Sequence, residues 1–144
     1  MKVTVIDYGL SNLLSVQHAF AHFGAETLLT SKPEDVLAAD ALVLPGVGAF
    51  QDGMAGLEKL GLVEPIRQKA AAGTPLLGIC LGMQIAVIEF ARHVAGLTGA
   101  HSAEFDEYSP YPVVALMEDQ VNVTAKGGTM RLGKYPCVLD EASK

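Results

Sequence analysis

Short apolar runs alternate along the chain with stretches whose hydrophobic positions recur every three or four residues, the pattern of buried strands separated by helices. Residues 3–6 read as a first strand, followed by a polar, glycine-containing turn at Asp7, Tyr8, Gly9, Ser11 and Asn12. Leu13, Val16, Ala19 and Phe20 then share one side of a helix that Gly24 ends. A second strand is expected over residues 27–30, a short helix after Pro33 through Leu37, and a third strand over residues 41–44 that stops at Pro45. Such alternation predicts a parallel α/β sheet.

The bend Pro45-Gly46-Val47-Gly48-Ala49 precedes a helical region with Phe50, Met54 and Leu57, and Gly61 separates it from another helix over residues 62–72. A fourth strand over residues 76–79 runs into a helix over residues 81–94. Beyond Gly96 the pattern weakens, and only residues 111–117, with a short stretch at 137–139 after a glycine-rich loop at 127–133, carry strand character.

A length of 144 residues, half of them hydrophobic, suits one domain spanning the chain. The net charge of -6 is evenly spread, with five basic and eight acidic residues in each of residues 1–84 and 85–144. That leaves no basic footprint for nucleic acid. No apolar stretch has the length of a membrane span, and two cysteines in unlike contexts make no disulfide framework, so a cytoplasmic setting is expected.

Within this frame Cys80 stands at the end of the apolar run Pro75-Leu76-Leu77, between Gly78 and Gly82. This is the pattern of a nucleophile elbow, a sharp strand-to-helix turn that presents a side chain above a sheet. Gly78 makes room against neighbouring backbone, and Gly82 permits close packing beyond the turn. A helix beginning at Leu81 favours a thiolate at its positive end. The backbone N–H of Leu81, with a second donor from the Gly46 and Val47 region, would face an oxyanion. A buried cysteine without chemistry and a merely structural bend at 45–49 are the competing readings. The sequence holds no metal-ligand spacing and no phosphate-binding glycine fingerprint, so no metal or cofactor is expected.

Three segments make the pattern specific. Residues 7–14, 45–50 and 78–84 resemble the amidotransferase subunits of imidazole glycerol phosphate synthases, whereas residues 80–92, 102–106 and 127–133 are similar to the glutaminase domains of cytidine triphosphate synthases. Both are class I glutamine amidotransferases, and the sequence reads as a splice of the two with its junction near residues 80–84, of recombined, engineered or natural origin. The resemblance implies a three-layer, flavodoxin-like fold with a mostly parallel sheet, truncated or incomplete. It further implies a glutamyl thioester on Cys80, oxyanion donors at Val47 and Leu81, and glutamine contacts at Gly48, Gln84 and Glu104. Ser11 stands where the first family has glycine.

Both families also place a histidine, followed two residues later by glutamate, on a carboxyl-terminal strand, and this sequence ends without that pair. Of the histidines present, His18 and His22 fall toward the far end of the first helix, and His93 is about 20 Å along the helix from Cys80 at 1.5 Å per residue. His101 offers only an unconventional approach. Two readings follow: a domain hydrolysing L-glutamine to glutamate and ammonia, and a silent scaffold or synthase partner module lacking the base. A synthase or a second copy of the chain is the expected protein partner, the latter through an exposed sheet edge.

Overall fold

The structure is a computed structural model that describes residues 2–115. The chain divides into two compact units, Met1–Val114 and Ala115–Lys144, and the first carries the architecture. The sequence readings at 127–133 and 137–139 lie outside the described residues.

Strand β1 (Lys2–Ile6), helix α1 (Leu13–His22), β2 (Glu26–Thr30), α2 (Pro33–Leu37), β3 (Leu42–Gly46), α3 (Phe50–Lys59), α4 (Val63–Ala71), β4 (Leu76–Cys80) and α5 (Leu81–His93) follow in order. The four strands form one parallel sheet in the order β2-β1-β3-β4. Two short strands, β5 (Ala100–Ser102) and β6 (Tyr111–Val114), make a separate parallel pair. This is an α/β fold of the flavodoxin-like kind, whose ligand sites lie beyond the carboxyl ends of the strands where the strand order reverses.

The period-2 rule sorts the core into its layers. Val3, Val5 and Val43 point to one face, where Leu13, Val16 and Phe20 of α1 cover them. Ile6, Leu42 and Leu44 point to the other, against Val36, Phe50, Leu57, Ile66, Leu81, Ile85 and Ile88 from α2 to α5. One helix thus covers one face and four cover the other, which leaves Leu77 of β4 51 % exposed on the thinly covered side.

Ends and corners are fixed by local polar groups. The Asn12 side chain accepts the Ser15 N–H and caps α1. The Thr30 hydroxyl donates to Asp35 Oδ2 at 2.6 Å and accepts the Lys32 N–H at 3.0 Å, joining β2 to α2. Thr30 is buried. Thr30→Val should therefore leave the Lys32 N–H without its acceptor and cost about 1–2 kcal/mol in urea unfolding. On the other side of the unit, Arg92 Nε donates to the Ala100 carbonyl at 2.8 Å, and its guanidinium pairs with Glu89 at 3.2 Å, fastening β5 to α5.

The third strand runs further than the sequence reading allowed, because Pro45 and Gly46 belong to it. The reason lies in the alternation of bonding directions. Leu42 donates its N–H toward β4, to Pro75 at 2.9 Å, so odd-numbered residues of β3 turn toward β1. The β1–β3 pairing ends at Val5 and Val43. The N–H that Pro45 lacks would point past the end of that ladder, so the proline leaves no bond unmade.

Candidate active site

Strand β4 ends at Cys80 and α5 begins at Leu81 without an intervening loop. Cys80 takes φ 55°, ψ −118° and is the only non-glycine residue with positive φ among the described residues. A side chain in that region costs about 1–3 kcal/mol unless its surroundings enforce it. Here the enforcement comes from glycines. A Cβ on Gly82 would run into the Leu44 carbonyl oxygen, and one on Gly78 would sit 2.6 Å from Met83 Cα and 2.7 Å from Met83 N. The first turn of α5 therefore lies directly against the backbone of β3 and β4, and the chain must reverse sharply at residue 80. The thiol emerges exposed and free. Cys80 is the N-cap residue of α5 and no side chain caps the helix, so its first N–H groups and the positive end of its dipole are left open beside this residue.

Beside the elbow, Gly46 is the register partner of Cys80. Gly48 follows with φ +92°, and the Val47 side chain is exposed. The Val47 N–H continues the outward alternation of β3 and donates to the Leu10 carbonyl at 2.9 Å. That donor is occupied, and it reaches an oxyanion only after parting from Leu10. Gln84 lies half-buried in the first turn of α5. Glu104 is exposed in the turn after β5, where its N–H donates to Ser102 Oγ at 3.3 Å. Both β5 and β6 pack on α5.

None of the four histidines hydrogen-bonds to Cys80. His22 stacks edge-on against Phe23, and His93 pairs with Glu89 at 3.3 Å. His101 accepts the Ser102 N–H at Nδ1 and lies against Phe50, ring centroids 5.3 Å apart. His18 is an exposed residue of α1. The described residues hold no cluster of metal-ligating side chains and no helix long and apolar enough to cross a membrane. A cavity of about 690 Å³ between α3, α4 and α5 is lined by Leu57, Ile66, Ile85 and Phe90 and does not include Cys80. Its walls are mostly apolar, with Glu64, Arg67, Glu89 and His93 at their edge and no thiol among them.

One residue at this edge carried no functional reading in the sequence. Tyr8, two positions after β1, is buried with its hydroxyl unpartnered. Burial pushes the phenol from its ordinary 10.0 up to about 12, and the charge of Cys80 adds to the effect. A folded-state value above the unfolded one means the fold holds the proton more tightly. The resulting stabilisation is complete below pH 10.0 and is lost as pH rises toward about 12. Guanidinium unfolding across that window should show stability falling more steeply for the parent chain than for Tyr8→Phe. The Asp7-Tyr8-Gly9 turn placed Tyr8 at the sheet's carboxyl edge, the one signal that could have singled it out.

An exposed thiol on an enforced strand-to-helix turn, at the carboxyl edge of a parallel sheet, defines a nucleophile-elbow protein of the α/β class. Residues 4–144 match the family described as Glutamine amidotransferase class-I, and the chain belongs to that family. It is 44% identical over 135 residues to imidazole glycerol phosphate synthase subunit HisH 1 of Legionella pneumophila (strain Paris), covering 94% of this chain and 57% of that protein. It is 43% identical over 147 aligned positions to CTP synthase of Pelotomaculum thermopropionicum, covering 95% of this chain and 26% of that protein. The chain thus spans little more than half the length of the first relative and about a quarter of the second. Among solved structures, the glutaminase domain of Trypanosoma brucei CTPS with bound acivicin superposes with a TM-score of 0.63 at 24% identity, over 85% of this chain and 52% of that one. That likeness concerns the fold alone. The relationship to both kinds of amidotransferase agrees with the double resemblance read from the sequence.

Proposed function

We propose that this chain carries the nucleophile-bearing part of a glutamine-hydrolysing site. Cys80 Sγ, as thiolate, attacks the side-chain carboxamide carbon of L-glutamine. The S–C bond forms as the C–N bond breaks, the departing nitrogen gains a proton and leaves as ammonia, and a γ-glutamyl thioester remains. Water then cleaves the thioester to glutamate and returns the thiol. The N–H of Leu81 and a donor from Gly46 or Val47 receive the oxyanion, while Gly48, Gln84 and Glu104 hold the substrate. For Val47 to take part, its N–H must exchange the Leu10 carbonyl for the substrate oxygen, so glutamine binding and rearrangement of the 46–48 segment are coupled. The ammonia goes to an acceptor on a synthase partner, as the names of the relatives pair this chemistry with synthases.

The observation that carries the reading is the backbone of Cys80, held at positive φ with its sulfur exposed at a helix N-terminus. A second reading, a silent scaffold of the same ancestry, is favoured by the absence of any histidine hydrogen-bonded to Cys80. The two separate by the leaving group they tolerate. Glutamine needs its nitrogen protonated as it departs, whereas an activated γ-glutamyl ester does not. Intact-mass measurement with each substrate decides. A γ-glutamyl adduct on Cys80 from both, with ammonia released from glutamine, supports the full reaction. An adduct from the ester alone supports a competent nucleophile without its acid–base partner, and a folded chain with no adduct from either rejects the proposed chemistry.

A further inference from the structure

The Tyr8 phenol is 4% exposed, yet its oxygen has no hydrogen-bond partner. Leaving such a group unsatisfied costs about 1–3 kcal/mol, so an idle position is unfavourable. Its location is specific. The phenol oxygen fills the space that a Cβ on Gly46 would need, and that same point lies 3.0 Å from Leu81 Cβ and 3.1 Å from the Gly82 nitrogen. Gly46 is paired in register with Cys80. The hydroxyl therefore sits underneath the elbow, between the end of β3 and the first turn of α5. The ring cannot drift from there, because α3 closes on it: a Cβ on Gly56 would come within 2.9 Å of the Tyr8 carbonyl oxygen and 3.1 Å of its Cδ2.

We propose that the Tyr8 hydroxyl donates a hydrogen bond to the Cys80 thiolate and so stabilises the nucleophilic form of the residue. This rests on Cys80 being the acyl-transfer nucleophile. In the resting structure the exposed thiol makes no hydrogen bond to this hydroxyl, so the bond forms only when the sulfur turns inward from its exposed position. Ionisation turns the sulfur into a full acceptor, which the open hydroxyl beneath the elbow meets once the side chain rotates toward it, and a hydrogen bond to an ionised sulfur is the strong kind. The phenol keeps its own proton across the physiological range, so it acts as donor and not as base. The other charged groups around the elbow are engaged or distant. Asp7 after β1 accepts the Gly9 N–H at 3.0 Å, and Asp52 on α3 is exposed to solvent. Arg92 and His93 each contact Glu89 toward the far end of α5. Tyr8 is the titratable group that senses the Cys80 charge.

The test reads the thiol directly. In a Cys137→Ser background, the rate of Cys80 alkylation by iodoacetamide is followed from about pH 5 to about pH 10 to locate its midpoint. Tyr8→Phe should move the midpoint upward by about one unit, leaving about tenfold less thiolate at any pH below it. Urea stability should not fall, since the variant removes only an unpartnered hydroxyl. Incorporating 3-fluorotyrosine, a more acidic donor of nearly the same shape, should move the midpoint downward and provides a second measurement should the phenylalanine variant fold poorly. A midpoint unmoved by either change overturns the proposal, as does a loss of stability in Tyr8→Phe without any change in the midpoint. Because no glutamine is present, absence of glutaminase activity leaves this measurement intact and rejects only the reading on which it builds.

Discussion

Replacing Cys80 with serine should remove at least about a thousandfold of any glutamine-dependent ammonia release, and with it the γ-glutamyl adduct in the intact mass. Serine has nearly the shape of cysteine and can be held at the same backbone angles, so the unfolding midpoint should stay within about 0.5 kcal/mol of the parent. The loss would then belong to the nucleophile, because a hydroxyl of far higher pKa cannot ionise at the end of α5 as a thiol can. Ammonia release that persists at the parent rate in the serine variant would place the chemistry somewhere other than the elbow. Alkylation with iodoacetamide gives an independent control: in the Cys137→Ser background, Cys80→Ser should leave no modifiable thiol in the chain.

For stability, the largest expected loss is at Gly82. An alanine there would force its methyl group into the Leu44 carbonyl oxygen, a main-chain atom of the central strand that cannot swing aside. Overpacking of this kind costs about 3 kcal/mol when the obstacle is rigid. Gly53→Ala is the informative contrast, since its Cβ would meet only the side-chain ends Ile85 Cδ1 and Leu81 Cδ2, both at 3.0 Å. Those methyls can rotate, and a cost of about 1 kcal/mol is expected. Urea unfolding of the two variants side by side checks the difference. Equal costs would mean that the joint between β3 and α5 yields more readily than its geometry implies.

The two central strands, β1 and β3, were legible in the sequence because they are buried on both faces and therefore read as nearly continuous apolar runs, the first closed by Asp7. The elbow was legible for a related reason: glycine is needed wherever main chain meets main chain, and Gly78 and Gly82 mark that contact two residues to either side of Cys80. Pro45 was misleading. Proline normally ends a central strand, and only the short overlap of β1 with β3 makes it harmless here. Strand β5 escaped notice because three residues, one of them His101, carry no usable period. The involvement of Leu10 with Val47, and of Tyr8 with Gly46, arises between segments distant in sequence, and local pattern has no means of conveying it. Glu104 was placed by resemblance within residues 102–106, and the structure adds the hydrogen bond from its N–H to Ser102 Oγ.

At the meeting of β4 with α5, fit is achieved by atoms every polypeptide shares: carbonyl oxygens, amide nitrogens and the vacant places of missing side chains. A joint of that sort does not consult the identity of the residues leading up to it or away from it. What the joint demands of the segments on either side is therefore a glycine from each, Gly78 before the thiol and Gly82 after it.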